Sequence, residues 1–415
     1  MTRRERVLAA IEHREPDRVP VDLGAMRSTG ITATAYGRLK KFLGMSAGAT
    51  DVYDVVQQLA QPEQPILDYW ETDVMDLGRV FLTQDSDWKA FLLPDGQVAR
   101  IPAYINFASD GAGGWLALAE DGTPIGAMPK GAYYLSQTRF PLQDWDGADL
   151  GVLDRLPEHM GQVTWSALPC PPYHRPLTAE HLADIRRRAK ALFETTDYAV
   201  MVAFGANLLE WGQYLCRMDQ FLVDLVENRP KSIALLDKLV EGHLANLEKL
   251  LPAVEGYVQI IQMGDDLGTQ QALEISPRLY RDVIKPRQRL IFETVKKRSK
   301  MRLFLHSCGA VADIIPDLIE VGVEILNPVQ TSARGMEPAR LKREYGRDIA
   351  FWGGGCDTQR VLPLGTPAEI EAQVKERVET FAPGGGYVFT QVHNIMPHVP
   401  PGNIAAMVEA VRRFR

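Results

Sequence analysis

From about residue 198 onward, short apolar runs alternate with longer amphipathic segments in a regular order. The apolar runs are continuous rather than alternating, which is typical of parallel strands buried on both faces. The amphipathic segments are predicted as helices, and two of them begin with recognisable start signals, Ser276-Pro277 and the capping box Thr366-Pro-Ala-Glu369. The predicted strands of these six βα units are 198–204, 256–263, 301–305, 323–326, 349–352 and 387–390, and the predicted helices are 207–226, 276–297, 311–321, 338–345, 366–381 and 403–414.

Two further strands are predicted upstream, at residues 19–23 and near 73–81, after a short N-terminal amphipathic helix. Eight parallel strands with helices between them close a (β/α)8 barrel, so the predicted α/β architecture is a TIM barrel. A doubly wound open sheet is the structural alternative. No Gly-x-Gly-x-x-Gly motif opens the first unit, which argues against the dinucleotide-binding version of that alternative.

Residues 83–145 interrupt the regular order of strands and helices. They contain Asp95-Gly96 and Asp121-Gly122 between β-rich stretches, which predicts β-hairpins. We interpret this segment as an insertion in an early loop of the barrel, in a position to act as a lid. Residues 157–178 are rich in proline and are predicted to be an irregular connection. The expected organisation is one domain, 1–415, that carries a β-rich insertion at 83–145.

The 415-residue chain is 46% hydrophobic and 24% charged, which is ordinary for a globular protein. Its formal net charge of −7 argues mildly against nucleic acid as a partner. No apolar run is long enough for a signal peptide or a membrane span, so we expect a cytoplasmic protein without a membrane partner. Four cysteines in such a chain do not form a disulfide framework, and Cys170 and Cys216 are predicted to be small buried side chains. A homodimer is among the assemblies that the sequence allows.

One histidine and two cysteines follow predicted strands. His306 and Cys308 lie in His-Ser-Cys-Gly directly after 301–305, and Cys356 follows 349–352. The loops after the strands of a closed barrel converge on one mouth, so these residues are expected to meet there. An imidazole and two thiolates are ligands suited to zinc, and three protein ligands leave open the fourth position of a catalytic site. The alternative is that His306 and Cys308 are ordinary loop residues and that Cys356 is incidental.

Carboxylates follow two of the earlier strands, Glu210 after 198–204 and Asp265-Asp266 after 256–263. Each of the three is a candidate for the fourth zinc ligand when substrate is absent, and Asp266 and Glu210 are candidate catalytic groups. Two adjacent carboxylates cannot both enter one pocket without raising a pKa. We therefore expect one of Asp265 and Asp266 to face the mouth and the other to cap a loop or a helix.

Further polar residues at strand ends are candidates for catalysis and substrate binding. His393 follows the last strand and is a candidate general acid or base, or a hydrogen-bonding group for substrate, with an ordinary loop histidine as the alternative. Arg27 follows the first strand, and its guanidinium suits a carboxylate or phosphate, with a surface arginine as the alternative. Asn207, Gln330 and Gln391 are the remaining candidates for binding substrate.

Several segments of the chain form a recognisable set of motifs. They are Arg4-Glu-Arg-Val-Leu-Ala-Ala-Ile-Glu-His13, Pro16-Asp-Arg-Val-Pro20, His306-Ser-Cys-Gly309, Asn327-Pro-Val-Gln330, Trp352-Gly-Gly-Gly355 and Pro383-Gly-Gly-Gly386, the last followed by His393-Asn-Ile. With these motifs the chain resembles the uroporphyrinogen decarboxylase superfamily. The resemblance covers most of the chain and is strongest from about residue 256 onward.

The resemblance implies a (β/α)8 barrel with its active site at the mouth, and it leaves two functional branches. One branch is the decarboxylase itself, which uses no metal or cofactor. The other contains cobamide-dependent methyltransferases, in which a His-x-Cys and a distant Cys bind zinc. The matching positions in this chain are His306, Cys308 and Cys356.

The chain departs from the decarboxylase pattern at its arginine motif. The family's Phe-Met-Arg-Gln-Ala-Gly-Arg is reduced to Met26-Arg27, and without the second arginine the many carboxylates of a porphyrinogen lose counter-charges. The decarboxylase's aspartate motif is also not matched convincingly near Asp73 and Asp76. These departures favour the methyltransferase branch. No Asp-x-His-x-x-Gly corrinoid-binding signature is present, so the corrinoid is expected on a separate protein or as free cofactor.

The sequence therefore predicts a zinc-dependent methyltransferase that moves a methyl group between a small methylated substrate and a corrinoid. An aryl methyl ether or a methylamine is the expected substrate type, and a corrinoid protein is the expected partner. The alternatives are a methyltransferase of the coenzyme M type, a metal-free decarboxylase or lyase that uses Asp and His, a zinc-containing binding protein without turnover, and a structural zinc at the barrel mouth.

Overall fold

The computed structural model describes residues 1–45 and 48–415. Seven strands form one sheet in which every neighbouring pair is parallel. From one edge to the other they lie in the order in which the chain forms them, as in a barrel built from successive βα units. The strands are Val74–Asp76, Ala199–Gly205, Ile260–Gly264, Arg302–His306, Ile325–Asn327, Ala350–Trp352 and Tyr387–Val388.

Val21 joins the two edges of this sheet and closes the barrel. It forms a parallel bridge with Phe389, and its carbonyl accepts from Asp73 N at 2.8 Å. The strand predicted at 19–23 is thus reduced to a single bridge, because Pro20 has no N–H and the Val21 N–H donates to the Asp73 side chain at 2.9 Å. The predicted TIM barrel is confirmed, and the open-sheet alternative is wrong because both sheet edges are paired.

The helices form a layer around the barrel, and several differ from the prediction. Helix Arg229–Val254, with 26 residues, is absent from the sequence-based prediction. The helix predicted at 207–226 is divided at Arg217, whose φ is 70°. The helix predicted at 276–297 contains a π-helical turn, Tyr280–Ile284.

The α-helices are Arg3–Ile11, Ala33–Phe42, Gln64–Trp70, Leu156–Met160, Thr164–Ala167, Ala179–Thr195, Leu209–Cys216, Met218–Glu227, Arg229–Val254, Pro277–Leu279, Lys285–Arg298, Ile315–Glu320, Pro338–Tyr345, Val361–Leu364, Pro367–Phe381 and Pro401–Phe414. The 3-10 helices are Arg27–Thr29, Leu77–Val80, Asp85–Asp87, Leu150–Arg155 and Ala312–Ile314.

The N-terminal helix Arg3–Ile11 lies across the amino-terminal end of the barrel. Its Val7 is fully buried in the same apolar cluster as Phe304 and Trp352 from the barrel strands. The Phe304 and Trp352 rings meet edge to face with centroids 5.4 Å apart. The barrel interior is therefore packed and closed at this end, so a functional site has room only at the opposite mouth.

A group of buried charges ties the N-terminal helix to the barrel seam. Asp73 Oδ1 accepts from Arg6 Nη1 at 2.7 Å, and Arg18 donates to both carboxylate oxygens at 3.1 Å. The Asp73 side chain is fully buried, and that of Arg6 is 8% exposed. Since Asp73 also receives the Val21 N–H, one carboxylate connects the helix, the first strand position and the strand Val74–Asp76.

The insertion consists of antiparallel strands, as predicted. A hairpin pairs Trp88–Leu92 with Val98–Pro102 and turns at Asp95-Gly96, where Gly96 has a φ of 84°. A four-stranded sheet follows, with its second hairpin turning at Asp121-Gly122. Its strands are Phe107–Ser109, Trp115–Leu118, Pro124–Met128 and Ser136–Gln137, and a separate small hairpin pairs Val52–Asp54 with Leu59–Ala60.

The insertion follows the second barrel strand and lies at the mouth. Tyr134 donates its hydroxyl to Met396 Sδ at 2.9 Å, which connects the inserted sheet to the loop after the last strand. The exact domain extents, 1–415 with an insertion at 83–145, stay predictions. No helix within the described residues is long and apolar enough to cross a membrane.

Candidate metal centre

Three side chains with metal-binding atoms meet at the mouth of the barrel. His306 is the last residue of strand Arg302–His306, Cys308 follows two residues later, and His393 comes from the loop after the last strand. Their donor atoms all lie within 4.8 Å of one another, and all three side chains are partly exposed. Within residues 1–45 and 48–415, this is the one group of three such residues with that spacing.

The His306 ring is held from both sides. Its Nδ1 lies 2.6 Å from Asn327 Oδ1, at the end of the neighbouring strand, and its Nε2 lies 3.4 Å from Cys308 Sγ. The His393 ring is close by, with its centroid 5.7 Å from that of His306. Burial, and next the neighbouring His306, lower the pKa of His393 to about 4. His393 is therefore a neutral imidazole at neutral pH, with a lone pair available.

Two carboxylates lie directly behind this group. Asp266 Oδ1 is 3.5 Å from His306 Nε2 and accepts from Cys308 N at 2.8 Å. Glu210 accepts from Asp266 N at 3.0 Å and from the Tyr214 hydroxyl at 2.6 Å. Burial, and next the negative charge of Asp266, raise the pKa of Glu210. The site therefore combines soft donors with two carboxyl groups directly behind them.

The donor spacing fits zinc. A tetrahedral zinc with Zn–N of about 2.0–2.1 Å and Zn–S of about 2.3 Å places its nitrogen and sulfur ligands about 3.5 Å apart. His306 Nε2 and Cys308 Sγ are 3.4 Å apart, and Asp266 Oδ1 lies at 3.5 Å from the same nitrogen. Each of these two atoms is therefore separated from His306 Nε2 by the distance expected for two ligands of one metal ion.

The same His306 and Cys308 pair also has the arrangement of a thiol nucleophile beside its base. A reactive thiol needs a depressed pKa, usually from nearby positive charge. Burial, followed by the negative charges of Asp266 and Glu210, instead raises the pKa of Cys308. An incoming cation reverses this effect because it favours the thiolate, so the electrostatics favour metal binding over nucleophilic catalysis.

Cys356 does not join this group in the structure. Its side chain is 0% exposed and belongs to the apolar core, and burial raises the pKa of its thiol. Its backbone is near the site, since Val392 N, next to His393, donates to Cys356 O at 2.9 Å. The thiol packs within the apolar core, and His393 is the third donor within reach of His306 and Cys308. The role of Cys356 as a zinc ligand stays a prediction.

Asp265 faces away from the donor group. Its two carboxylate oxygens accept from Leu209 N and Glu210 N, both at 3.1 Å, at the start of helix Leu209–Cys216. This places one carboxylate of the Asp265-Asp266 pair at a helix N-terminus, where it satisfies unpaired N–H groups, and the other at the mouth. Burial raises the pKa of Asp265 well above its ordinary value.

The residues predicted to bind substrate have partners of their own. Arg27 Nε forms an ion pair with Asp54 at 2.9 Å, and its guanidinium carbon is 5.4 Å from the centre of the Trp165 ring. Asn207 donates its side-chain amide to Glu210. Arg27 is thus about one third exposed and paired on one side, while Asn207 belongs to the carboxylate network behind the donor group.

The two predicted glutamines lie at different depths. Gln330 accepts from Gly309 N at 2.9 Å and donates to Gln270 at 2.7 Å, so it braces the loop that carries Cys308. Gln391 is buried and donates to Gly30 O at 3.3 Å. Substrate binding by either residue stays a prediction.

Asp76 is a candidate functional residue that sequence reasoning did not select. It ends strand Val74–Asp76, and it lines a small cavity together with Tyr53 and Arg79. Its Oδ1 is buried and finds no hydrogen-bond partner within the described part of the chain. Burial raises the pKa of Asp76 to about 7, against the smaller opposing effects of Gly78 N–H and Arg79. The rule that function follows strand ends selects this residue as well as the others.

We expect Asp76→Asn to remove a pH dependence of stability. The folded-state pKa of about 7 lies above the ordinary 3.8, so the folded protein holds a proton that the unfolded chain has lost. The stability linked to this carboxyl is present below pH 3.8 and is lost as the pH rises through about 7. Asp76→Asn should therefore match the wild type at low pH and exceed it at pH 8 by at least about 1 kcal/mol.

Urea denaturation at pH 5 and pH 8 measures this difference. The exposed Asp154 provides the matched control, since Asp154→Asn should leave the pH dependence of the wild type unchanged. Equal stability differences between Asp76→Asn and wild type at both pH values would contradict the raised pKa.

Comparisons with known proteins agree with this fold. A family model described as Uroporphyrinogen decarboxylase (URO-D) matches residues 201–414. The uroporphyrinogen decarboxylase of Pseudomonas aeruginosa is 29% identical over 192 residues, which are 46% of this chain and 50% of that protein. That of Methylococcus capsulatus is 26% identical over 181 residues, 43% of this chain and 48% of that protein. The chain thus matches about half the length of these curated relatives.

A solved structure is similar over the whole chain. It is a methyltransferase from Methanosarcina mazei, with a TM-score of 0.57 and 18% sequence identity. The match covers 100% of this chain and 99% of that chain. At this level of identity, the likeness concerns the fold.

Proposed function

The chain belongs to the uroporphyrinogen decarboxylase family, and on that premise we propose that it is a zinc-dependent methyltransferase that moves a methyl group between a small methylated substrate and a corrinoid. One observation carries the proposal. His306 Nε2 and Cys308 Sγ lie 3.4 Å apart at the barrel mouth, where burial, and next the carboxylates of Asp266 and Glu210, raise the pKa of the thiol. Soft donors in a negatively charged setting bind a zinc ion more readily than they serve a metal-free reaction.

In this proposal His306 and Cys308 hold the zinc. The geometry favours His393 as the third ligand, and Cys356 remains the third ligand that the sequence predicts. Asp266 lies where a carboxylate would fill the fourth position until substrate arrives. When bound, the zinc would act as a Lewis acid on the substrate atom that carries or receives the methyl group. The methyl group would pass between that atom and the corrinoid.

The remaining residues orient and screen the site. The Glu210 carboxyl accepts hydrogen bonds from the Tyr214 hydroxyl and from the backbone N–H of Asp266, and in this way it positions Asp266. Glu210 has a raised pKa and can hold a proton at its carboxyl beside the mouth. The inserted sheet, which contacts Met396 through Tyr134, would limit the access of water and shape the pocket for an aryl methyl ether or a methylamine.

The proposal is tested by metal analysis of the purified protein, followed by methyl transfer to a corrinoid. We expect about one zinc per chain in the wild type, as for a single catalytic site. His393→Gln and Cys356→Ser identify the third ligand, because only the variant that lacks this ligand should lose the metal. The proposal would be overturned if the wild-type protein contains no zinc after expression in zinc-supplemented medium and after incubation of the purified protein with zinc.

A metal-free decarboxylase or lyase is the second candidate, and Asp76 is the observation that favours it. A buried carboxyl with a pKa near 7 is suited to proton transfer at neutral pH, and it lies on the side of the mouth that carries Arg27. This candidate predicts activity that survives complete chelation and is lost in Asp76→Asn. The methyltransferase predicts that chelation stops turnover and that added zinc restores it.

The direction of methyl transfer separates two versions of the methyltransferase. A demethylase passes the methyl group from a small substrate to the corrinoid. A methyltransferase of the coenzyme M type passes it from the corrinoid to a thiol. We favour the demethylase, because the inserted sheet lies at the barrel mouth, where it could cover a small-molecule substrate.

A further inference from the structure

The side-chain amide of Asn327 has one orientation that its surroundings permit. Asn327 is 0% exposed and ends the strand next to that of His306. Its Nδ2 donates to Trp352 O at 2.9 Å, on the following strand. Its Oδ1 accepts from the Ser28 hydroxyl at 2.8 Å. Because a carbonyl oxygen cannot donate to Trp352 O, the Nδ2 end must face that carbonyl and the Oδ1 end must face Ser28 and His306.

This orientation determines which nitrogen of His306 carries the proton. The contact between His306 Nδ1 and Asn327 Oδ1 is 2.6 Å, and the amide oxygen can only accept. In the neutral ring the hydrogen is therefore on Nδ1. Nε2 then keeps its lone pair, and it faces Cys308 Sγ at 3.4 Å. A histidine that binds a metal through Nε2 needs this tautomer.

The support for the amide extends across the barrel mouth. Ser28 lies in the loop after the first strand, and Trp352 lies two strands beyond His306. The Trp352 ring is itself fixed, since its Nε1 donates to Asp22 at 2.9 Å. Asn327 therefore connects two sides of the mouth, and its hydrogen bonds to Ser28 and Trp352 fix its orientation.

We propose that Asn327 is a positioning residue that sets the Nδ1–H tautomer of His306 and aims Nε2 at the metal position. The consequence for metal affinity rests on the proposed function. The tautomer itself does not, because every contact that sets it is present in the chain without a metal. Groups that orient a metal-binding histidine in this way typically contribute about 10–100-fold to metal affinity.

The tautomer is measured in the metal-free protein labelled with [15N]histidine, by long-range 1H–15N correlation at a pH where the ring is neutral. His306→Gln identifies the His306 signals. We expect a protonated Nδ1 in the wild type and in Asn327→Asp, which keeps an acceptor facing His306 and loses only the donation to Trp352 O. Asn327→Leu removes the acceptor, and its His306 should populate the Nε2–H tautomer. The signals of His181, whose Nε2 lies 2.6 Å from Pro172 O outside the donor group, serve as the internal control in each sample.

Titration with Co²⁺ supplies the second measurement. Asn327→Leu should bind the metal about 10–100-fold more weakly than the wild type, and Asn327→Asp should retain most of the affinity. A wild-type Nε2–H tautomer overturns the proposal, and so does an Nδ1–H tautomer that persists in a folded Asn327→Leu. If Asn327→Leu does not fold, the wild type and Asn327→Asp still decide, because an Nε2–H tautomer in either contradicts the inferred contact.

The two proposals fail in different ways. A protein that binds no metal but shows the Nδ1–H tautomer removes the proposed function and leaves the role of Asn327 intact. A protein that binds zinc through His306, but whose His306 tautomer does not depend on Asn327, supports the proposed metal site and removes the role of Asn327.

Discussion

Replacement of Cys308 by alanine is expected to remove the bound zinc and to abolish methyl transfer. Cys308 Sγ lies 3.4 Å from His306 Nε2, and its thiol is flanked by Asp266 and Glu210. Without the sulfur, His306 and His393 are the two remaining members of the donor group. Two neutral imidazoles hold a zinc ion far more weakly than a set that contains a thiolate.

The expected size of this effect is large. Loss of a Lewis acid removes several kcal/mol of transition-state stabilisation, so we expect a loss of at least about 1,000-fold in turnover. Elemental analysis and single-turnover methyl transfer measure the two consequences separately. Zinc content should fall at least about tenfold, while the far-ultraviolet circular dichroism stays that of the wild type.

Cys216 provides the matched control. It is also a cysteine, it is fully buried in helix Leu209–Cys216, and it belongs to the apolar core rather than the mouth. Cys216→Ala should cost about 1 kcal/mol of stability and keep the zinc. A metal-free Cys308→Ala protein that retains methyl transfer would exclude zinc catalysis at this site.

Replacement of Asp73 by alanine is expected to destabilise the protein by about 3–5 kcal/mol, the typical cost of breaking a buried ion pair from one side. The change leaves the partly buried Arg18 guanidinium without its carboxylate partner. It also leaves Arg6, which is 8% exposed, paired only with Asp17, which is 41% exposed. It also leaves the Val21 N–H without its acceptor at the seam of the barrel. The midpoint of urea denaturation at pH 7 measures the effect.

Asp68 serves as the control for this variant. Asp68 forms a long ion pair of 4.0 Å with Arg3, which lies on the same helix as Arg6. The Asp68 side chain is 58% exposed. Exposed ion pairs contribute about 0–1 kcal/mol, so Asp68→Ala should have little effect. A loss of less than about 1 kcal/mol in Asp73→Ala would mean that water or a shifted side chain replaces the missing carboxylate.

The barrel was predictable from sequence because its strands are buried on both faces. Such strands are short apolar runs, and the pattern places Ala350–Trp352 and Arg302–His306 correctly to within one residue. Helix Pro367–Phe381 was also predictable, because Thr366 and Glu369 form the capping box that their spacing suggests. Local chemistry determines each of these elements.

Other elements depend on contacts that a local pattern does not contain. The first strand is a single bridge at Val21, because proline and a distant carboxylate limit its pairing. The division of the predicted helix 207–226 depends on the positive φ of Arg217. Helix Arg229–Val254 is a different case, since its buried residues Leu235, Leu239 and others recur at helical spacing, and the signal was present in the sequence.

For the candidate site, position was predictable and side-chain direction was not. The rule that polar residues after parallel strands meet at one mouth brings His306, Cys308 and His393 together. The same rule places the backbone of Cys356 nearby, but its thiol is in the core. Whether a side chain at a strand end faces the mouth or the surrounding helices depends on packing, which strand periodicity does not encode.

The single bridge at Val21 also determines when the chain can complete its fold. Val21 pairs with Phe389, near the opposite end of the sequence, and the helix that ends at Phe414 follows it. On the ribosome, the first strand emerges long before its last partner has been synthesised. Until Phe389 has emerged, Val21 has no partner at the other edge, so the sheet cannot close into a barrel. Closure is a long-range event that requires Phe389 to have been synthesised, and unpaired sheet edges are sites of aggregation until then.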